Sequence, residues 1–179
     1  MVRYLSIRVL APALILTSCS SIPSSAPPLV RPVGIARPLL AAHNRERAAF
    51  GSPPLAWDDR LASAAAHYAD KLARLGRLQH SPGNLRPGQG ENLWIGTSGA
   101  YSLEAMVAGW AAERRHFRPG RFPAISRTRN WADVGHFTQI VWPATRVIGC
   151  GLGKSARWEV LVCRYSPPGN VDGGPISRN

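Results

Sequence analysis

The chemistry this chain could perform resides in a few imidazoles, carboxylates and thiols. An imidazole can bind a metal, move a proton or hold a core hydrogen bond, so its surroundings decide its role. His43 shares a helical face with Leu39 and Phe50, which turns it inward as a hydrogen-bonded core residue. His67 has no partner in the pattern and reads as a surface or boundary residue. His80 opens a loop broken by Pro82, Gly83, Pro87, Gly88 and Gly90, and Glu91 follows directly after it. Glu113 stands three residues after Trp110, on the continuation of an apolar stripe, where a carboxylate must find a partner or stay wet. His136 lies in Gly135–Trp142, whose alternation reads as a strand with His136, Thr138, Ile140 and Trp142 on one face. By itself such a histidine is a packing residue. No His-Glu-x-x-His helix is present, and the sequence pairs no nucleophile with a base.

The thiols lead to the compartment. Arg3 and Arg8 form a basic start, and Val9 to Leu16 is an apolar run too short to span a bilayer, so residues 1–18 read as a signal peptide. It ends in Leu16-Thr17-Ser18-Cys19, which resembles the lipobox of bacterial lipoproteins. That resemblance implies acylation of Cys19 and a membrane anchor worth about 0.8 kcal/mol per buried methylene. The alternative is a cleaved leader and a secreted soluble chain. Three cysteines leave one over in an exported protein, and a lipidated Cys19 leaves Cys150 and Cys163 as a pair.

Elements must position these groups. With 179 residues, 45% of them hydrophobic, the chain suits one domain. Residues 19–37 are rich in Ser and Pro and read as an extended tether. A helix is predicted from Pro38 to about Phe50, broken by Gly51-Ser52-Pro53-Pro54. A second follows Asp58 or Asp59 and ends at Gly76, with Leu61, Ala64, Ala65, Tyr68, Leu72 and Leu75 as its stripe. Glu91 to Ile95 reads as a short turn or strand. Ser102 caps a third helix carrying Leu103, Met106, Val107 and Trp110. Arg146 to Gly153 and Trp158 to Tyr165 form a hairpin, and pairing Cys150 with Cys163 centres it between Ala156 and Arg157, within the predicted turn. A disulfide there would stabilise by about 3 kcal/mol. The tail, 171–179, is read as flexible.

The formal charge of +12 suggests an anionic neighbourhood such as membrane headgroups or envelope polymers. Nucleic acid is disfavoured by export and by the lack of a helix-turn-helix or aromatic RNA-binding signature. Six arginines lie between Arg114 and Arg129; they fit either a solvated basic loop or a contact for an anionic surface, and no local pattern decides.

His43-Asn44 with Arg47, Gly90-Glu91-Asn92-Leu93, Gly135 to Trp142, Gly149-Cys150-Gly151 and Cys163 to Asn170 together resemble the CAP superfamily of cysteine-rich secretory, antigen 5 and pathogenesis-related proteins. The resemblance spans 38–170. It implies an α+β fold, a three-layer α-β-α sandwich with a central antiparallel sheet, and a cleft lined by His80, Glu91, Glu113 and His136. Two neutral imidazoles, His80 and His136, with carboxylates on their other nitrogens, would bind zinc or another divalent metal weakly. The implied role is an exported, lipid-anchored cell-envelope protein that binds a lipid or anionic envelope component without catalysis. The alternatives are a metal-dependent hydrolase using the same cleft and a purely structural envelope protein.

Overall fold

The computed structural model describes residues 34–177. The expected signal peptide, Cys19 and the tether up to residue 33 lie outside them. None of the described helices is long and apolar enough to cross a membrane.

The first helix, α1 (Ala36–Phe50), starts two residues before the expected Pro38, which is accommodated in its first turn. Ala36 and Arg37 therefore belong to the helix and not to the tether. Leu39, His43 and Phe50 are buried on one face, as their spacing requires. The short strand β1 (Ala56–Trp57) leads into α2 (Asp59–Leu75), whose start is capped by Asp58 accepting from the amides of Arg60 and Leu61. Gly76 ends it in the left-handed conformation at φ 67°. The buried stripe of α2 is Leu61, Ala62, Ala65, Ala69, Leu72 and Ala73, so the expected Leu75 is corrected: it is 46% exposed. Strand β2 (Gly90–Thr97) realises the expected short strand, and Ser102 caps α3 (Leu103–Ala111) through the Ala105 amide.

Gly135–Trp142 is not a strand. Gly135–Val141 forms a helix, α4, which buries Phe137, Ile140 and Val141 together with Val134. Those positions fit a helical period as well as the alternation, and a stretch this short in β-branched and aromatic residues takes its conformation from its neighbours. The neighbours are specific: Glu113 caps the helix start, and Arg47 takes the carbonyls of Ile140 and Trp142 at its end.

Strands β4 (Val147–Lys154) and β5 (Trp158–Ser166) form the expected hairpin with Cys150 opposite Cys163, and the two are disulfide-bonded. The sheet order is β1-β4-β5-β2. It is antiparallel except that β1 runs parallel to β4, so the expected antiparallel sheet is mixed at one edge. The reason is topological, since α2 crosses between β1 and the hairpin.

Period two divides the sheet between layers. Val160, Val162 and Leu93 pack with Ala65, Ala69, Leu72 and Ala73 of α2. Ile148, Cys150, Leu161, Cys163 and Tyr165 face the opposite core with residues of α1, α3 and α4. Helix α2 lies very close to β4: a Cβ added at Gly149, Gly151 or Gly153 would come within 2.2, 2.1 and 2.2 Å of helix backbone. The tail is a further correction. Its β6 (Pro175–Ile176) pairs with β3 (Gly120–Arg121), and Ile176 is buried, because an apolar side chain there closes the core that Phe122 and Ile125 leave open.

Candidate functional site

The site straddles the start of the edge strand β2. From one side comes the loop after α2 with His80; from the other comes the N-terminus of α4 with His136. Glu91 of β2 lies fully buried beneath His80. Its Oε1 accepts from His80 Nδ1 at 2.9 Å and from the Ser81 amide at 2.9 Å, and its Oε2 accepts from the Ser81 hydroxyl at 2.7 Å. Arg164, directly across from Glu91 on β5, brings its guanidinium to 3.6 Å. Burial alone would raise the pKa of Glu91, but the bonds from His80 and Ser81 outweigh it and hold the carboxyl below its ordinary value.

Glu113 performs the same service for His136. It sits in the 3-10 turn Ala112–His116 that follows α3. Its Oε1 accepts from His136 Nδ1 at 2.6 Å, while its Oε2 accepts from the amides of His136 and Phe137 at 2.9 and 3.1 Å. One carboxylate thus orients the ring and caps the helix that carries it. Trp110 fixes the ring from another side: its indole stacks parallel to the imidazole, 13° between planes, and is itself held by a bond to the Leu93 carbonyl.

Both imidazoles therefore donate Nδ1–H to a carboxylate. They line one cleft of about 420 Å³ together with Glu91, Arg86, Trp131 and Gln139. Of the four expected residues, His80, Glu91 and His136 line the cleft and Glu113 stands behind His136. The described residues contain no group of three or more His, Cys, Asp or Glu suited to hold a metal. The donor set is the pair of imidazoles expected from sequence, each braced through Nδ1 by a carboxylate, a pair that suits a two-histidine site with its remaining positions left to water or ligand.

Several cleft residues were not singled out from sequence. Arg86 is held by the carbonyls of Ser81 and Gln89. Gln139 accepts from the Gly169 amide at 3.0 Å, and its own amide nitrogen is buried without a partner. Asn170, in the left-handed conformation, accepts from Thr138 and donates to the Gly135 carbonyl, tying the Pro-Pro-Gly-Asn segment to α4. Gln139, Gly169 and Asn170 carried a signal only as part of family motifs, and Arg86 carried none.

Behind the cleft runs a buried polar relay. His43 donates Nδ1–H to the Leu39 carbonyl and accepts from the Tyr165 hydroxyl at 2.9 Å, which accepts from Asn92. Asn92 also donates to the His136 carbonyl. Burial, opposed by the Leu39 bond and assisted by the Arg47 charge, lowers the pKa of His43 to about 4. Burial also pushes the Tyr165 hydroxyl well above its ordinary value.

A sheet covered on both faces by helices, with paired histidines and glutamates at its edge, defines a CAP-type protein. The chain belongs to that family: residues 40–165 match the model of the cysteine-rich secretory protein family. It is 37% identical over 136 residues to pathogenesis-related protein 1C of Nicotiana tabacum, covering 75% of this chain and 76% of that protein. Secreted protein RBT4 of Candida albicans is 36% identical over 149 residues, covering 80% of this chain but 38% of RBT4. Among solved structures, NaASP2 with Zn2+ superposes with a TM-score of 0.66 at 23% identity, over 80% of this chain and 85% of that one. At that identity the likeness supports the fold.

Proposed function

We propose that this is an exported, non-enzymatic CAP protein of the cell envelope, anchored through an acylated Cys19, whose cleft binds a lipid or other envelope component with a divalent metal at His80 and His136. The carrying observation is that two imidazoles line one cleft, each bonded through Nδ1 to a carboxylate. A metal bound there would supply a Lewis-acidic point for an oxygen of the ligand. Further support comes from the leader and Cys19 in the sequence, from a relative named as a secreted protein, and from a disulfide that suits an oxidising compartment.

The hydrolytic alternative asks Glu91 or Glu113 to take a proton from water. Each already accepts three hydrogen bonds, and Glu91 also faces Arg164, so neither is free as a base. The Ser81 hydroxyl is likewise spent on Glu91.

The test is zinc titration calorimetry on the full chain purified without chelator, with native mass spectrometry for retained lipid. Wild type should bind one zinc per chain, and His80→Ala with His136→Ala should abolish it while the circular dichroism spectrum stays native. Glu113→Gln should weaken binding roughly ten- to a hundred-fold, the usual cost of losing a ligand's supporting partner. Unchanged zinc affinity in the double histidine variant would overturn the metal assignment. Failure to retain or take up any lipid or envelope fraction would overturn the binding role.

A further inference from the structure

The six arginines between Arg114 and Arg129 are all exposed on one short, folded segment. Phe117, Phe122 and Ile125 of this segment are buried, whereas Arg114, Arg115, Arg118, Arg121, Arg127 and Arg129 are all exposed. The segment is not a loose loop. Phe117 bridges Ser126, Arg118 and Arg127 donate their amides to the carbonyls of Ile125 and His116, and Gly120–Arg121 pairs with β6. Three guanidiniums are braced by backbone carbonyls, Arg114 on Ala111, Arg121 on Gly173 and Arg127 on Phe117.

Counter-charge is scarce. Glu46 pairs with Arg114, and Asp133 is taken up by Thr128 and Asn130. Among the described residues, the other five arginines have no carboxylate within ion-pair distance. Five like charges on one short folded segment repel one another, and an anionic partner would offset that repulsion.

Beside them stands Trp131, 46% exposed, its indole packed edge-on against Phe122 at 5.2 Å. A polyanionic polymer needs only the guanidiniums. An exposed indole next to a basic face suits a bilayer, where the ring sits at headgroup level while the arginines meet phosphates.

We propose that the Arg114–Arg129 segment with Trp131 is a docking surface for an anionic phospholipid bilayer. Phe122 and Trp131 also line the cleft, so docking brings the cleft mouth to the headgroups. That consequence rests on the proposed lipid-binding role; the docking itself does not.

The test is cosedimentation of the chain from Ser20 onward, which carries neither the apolar leader nor Cys19, with vesicles of phosphatidylcholine alone or with about one third phosphatidylglycerol. Binding is expected only to the anionic vesicles and should weaken as salt shortens the screening length. At about five-fold per arginine near such a surface, Arg115→Ala with Arg118→Ala and Arg129→Ala should lower partitioning about a hundred-fold at low salt. The exposed basic residues of α2, substituted as Arg60→Ala, Lys71→Ala and Arg74→Ala, remove the same charge elsewhere and should cost far less. Trp131→Ala should weaken binding several-fold while leaving its salt dependence intact. Substituting His80 and His136 should leave docking unchanged, which separates this proposal from the function of the cleft. Equal losses from the two triple variants would overturn it in favour of net charge. Binding to soluble polyphosphate that is as tight as to vesicles and indifferent to Trp131→Ala would overturn it in favour of a polymer.

Discussion

Two histidines of the same residue type are given opposite tasks by their surroundings. His136 lines a cleft with its Nδ1 bonded to Glu113, whereas both nitrogens of His43 are consumed inside the core. His43 should therefore make stability pH-dependent. Its folded pKa, about 4, lies below the ordinary value of 6.5, so the unfolded chain takes up a proton over that interval and the folded chain does not. Stability contributed by neutral His43 is complete above about pH 6.5 and is lost as the pH falls toward 4, by about 3 kcal/mol. Denaturant melts of wild type and His43→Gln across that window should show a steep decline in the former and a shallower one in the latter. Parallel curves would mean that His43 does not dominate the acid limb. The inward placement of His43 was legible from its spacing with Leu39 and Phe50; its hydroxyl partner Tyr165, 122 residues away, was not.

At the scale of elements, the layer contact between α2 and β4 is set by absent side chains. Alanines of α2 face glycines at every second position of β4, and a Cβ at Gly151 would lie 2.1 Å from the Ala66 amide nitrogen. Helix backbone cannot yield as a flexible side chain does, so Gly151→Ala must push the helix from the sheet. The expected cost is about 2–4 kcal/mol by denaturant melts, whereas Gly109→Ala, inside α3 with an added Cβ that meets nothing within 4 Å, should gain up to about 1 kcal/mol. Similar losses at both positions would show that the close approach is not what holds the layers together. Helices α1, α2 and α3 and the cysteine-registered hairpin were all readable, because caps, breakers and apolar stripes lie within each. Helix α4 was misread because its cap, Glu113, and the arginine that takes its last carbonyls, Arg47, come from other elements.

At the scale of the whole molecule, the buried Arg47 acts as a hub. It donates to carbonyls of Pro53, Ile140, Trp142 and Thr145, and burial lowers its pKa to about 10 without discharging it at neutral pH. Far along the chain, Ile176 is buried in the same core cluster as Phe122 and Ile125. Ending the chain after Gly174 removes that buried side chain and the β3–β6 pairing, and should lower stability by about 2–4 kcal/mol. Thermal melts of the shortened chain would check this; an unchanged midpoint would return the tail to the flexible role read from its Pro and Gly content. Composition misled there because the partner strand, Gly120–Arg121, lies more than fifty residues away.

What the sequence determined by itself was local or motif-borne: three helices, the hairpin register with its disulfide, the inward His43, and membership of a family through motifs spread along the domain. Tertiary structure decided the rest. It made Gly135–Val141 a helix, set Glu113 behind His136 as both brace and cap, recruited Arg86, Gln139 and Trp131 to the cleft, and folded the six-arginine segment around buried Phe117, Phe122 and Ile125. The physical reason is range. Caps and stripes act within a few residues, whereas a carboxylate that meets an imidazole twenty-three positions away is placed by the packing of whole layers.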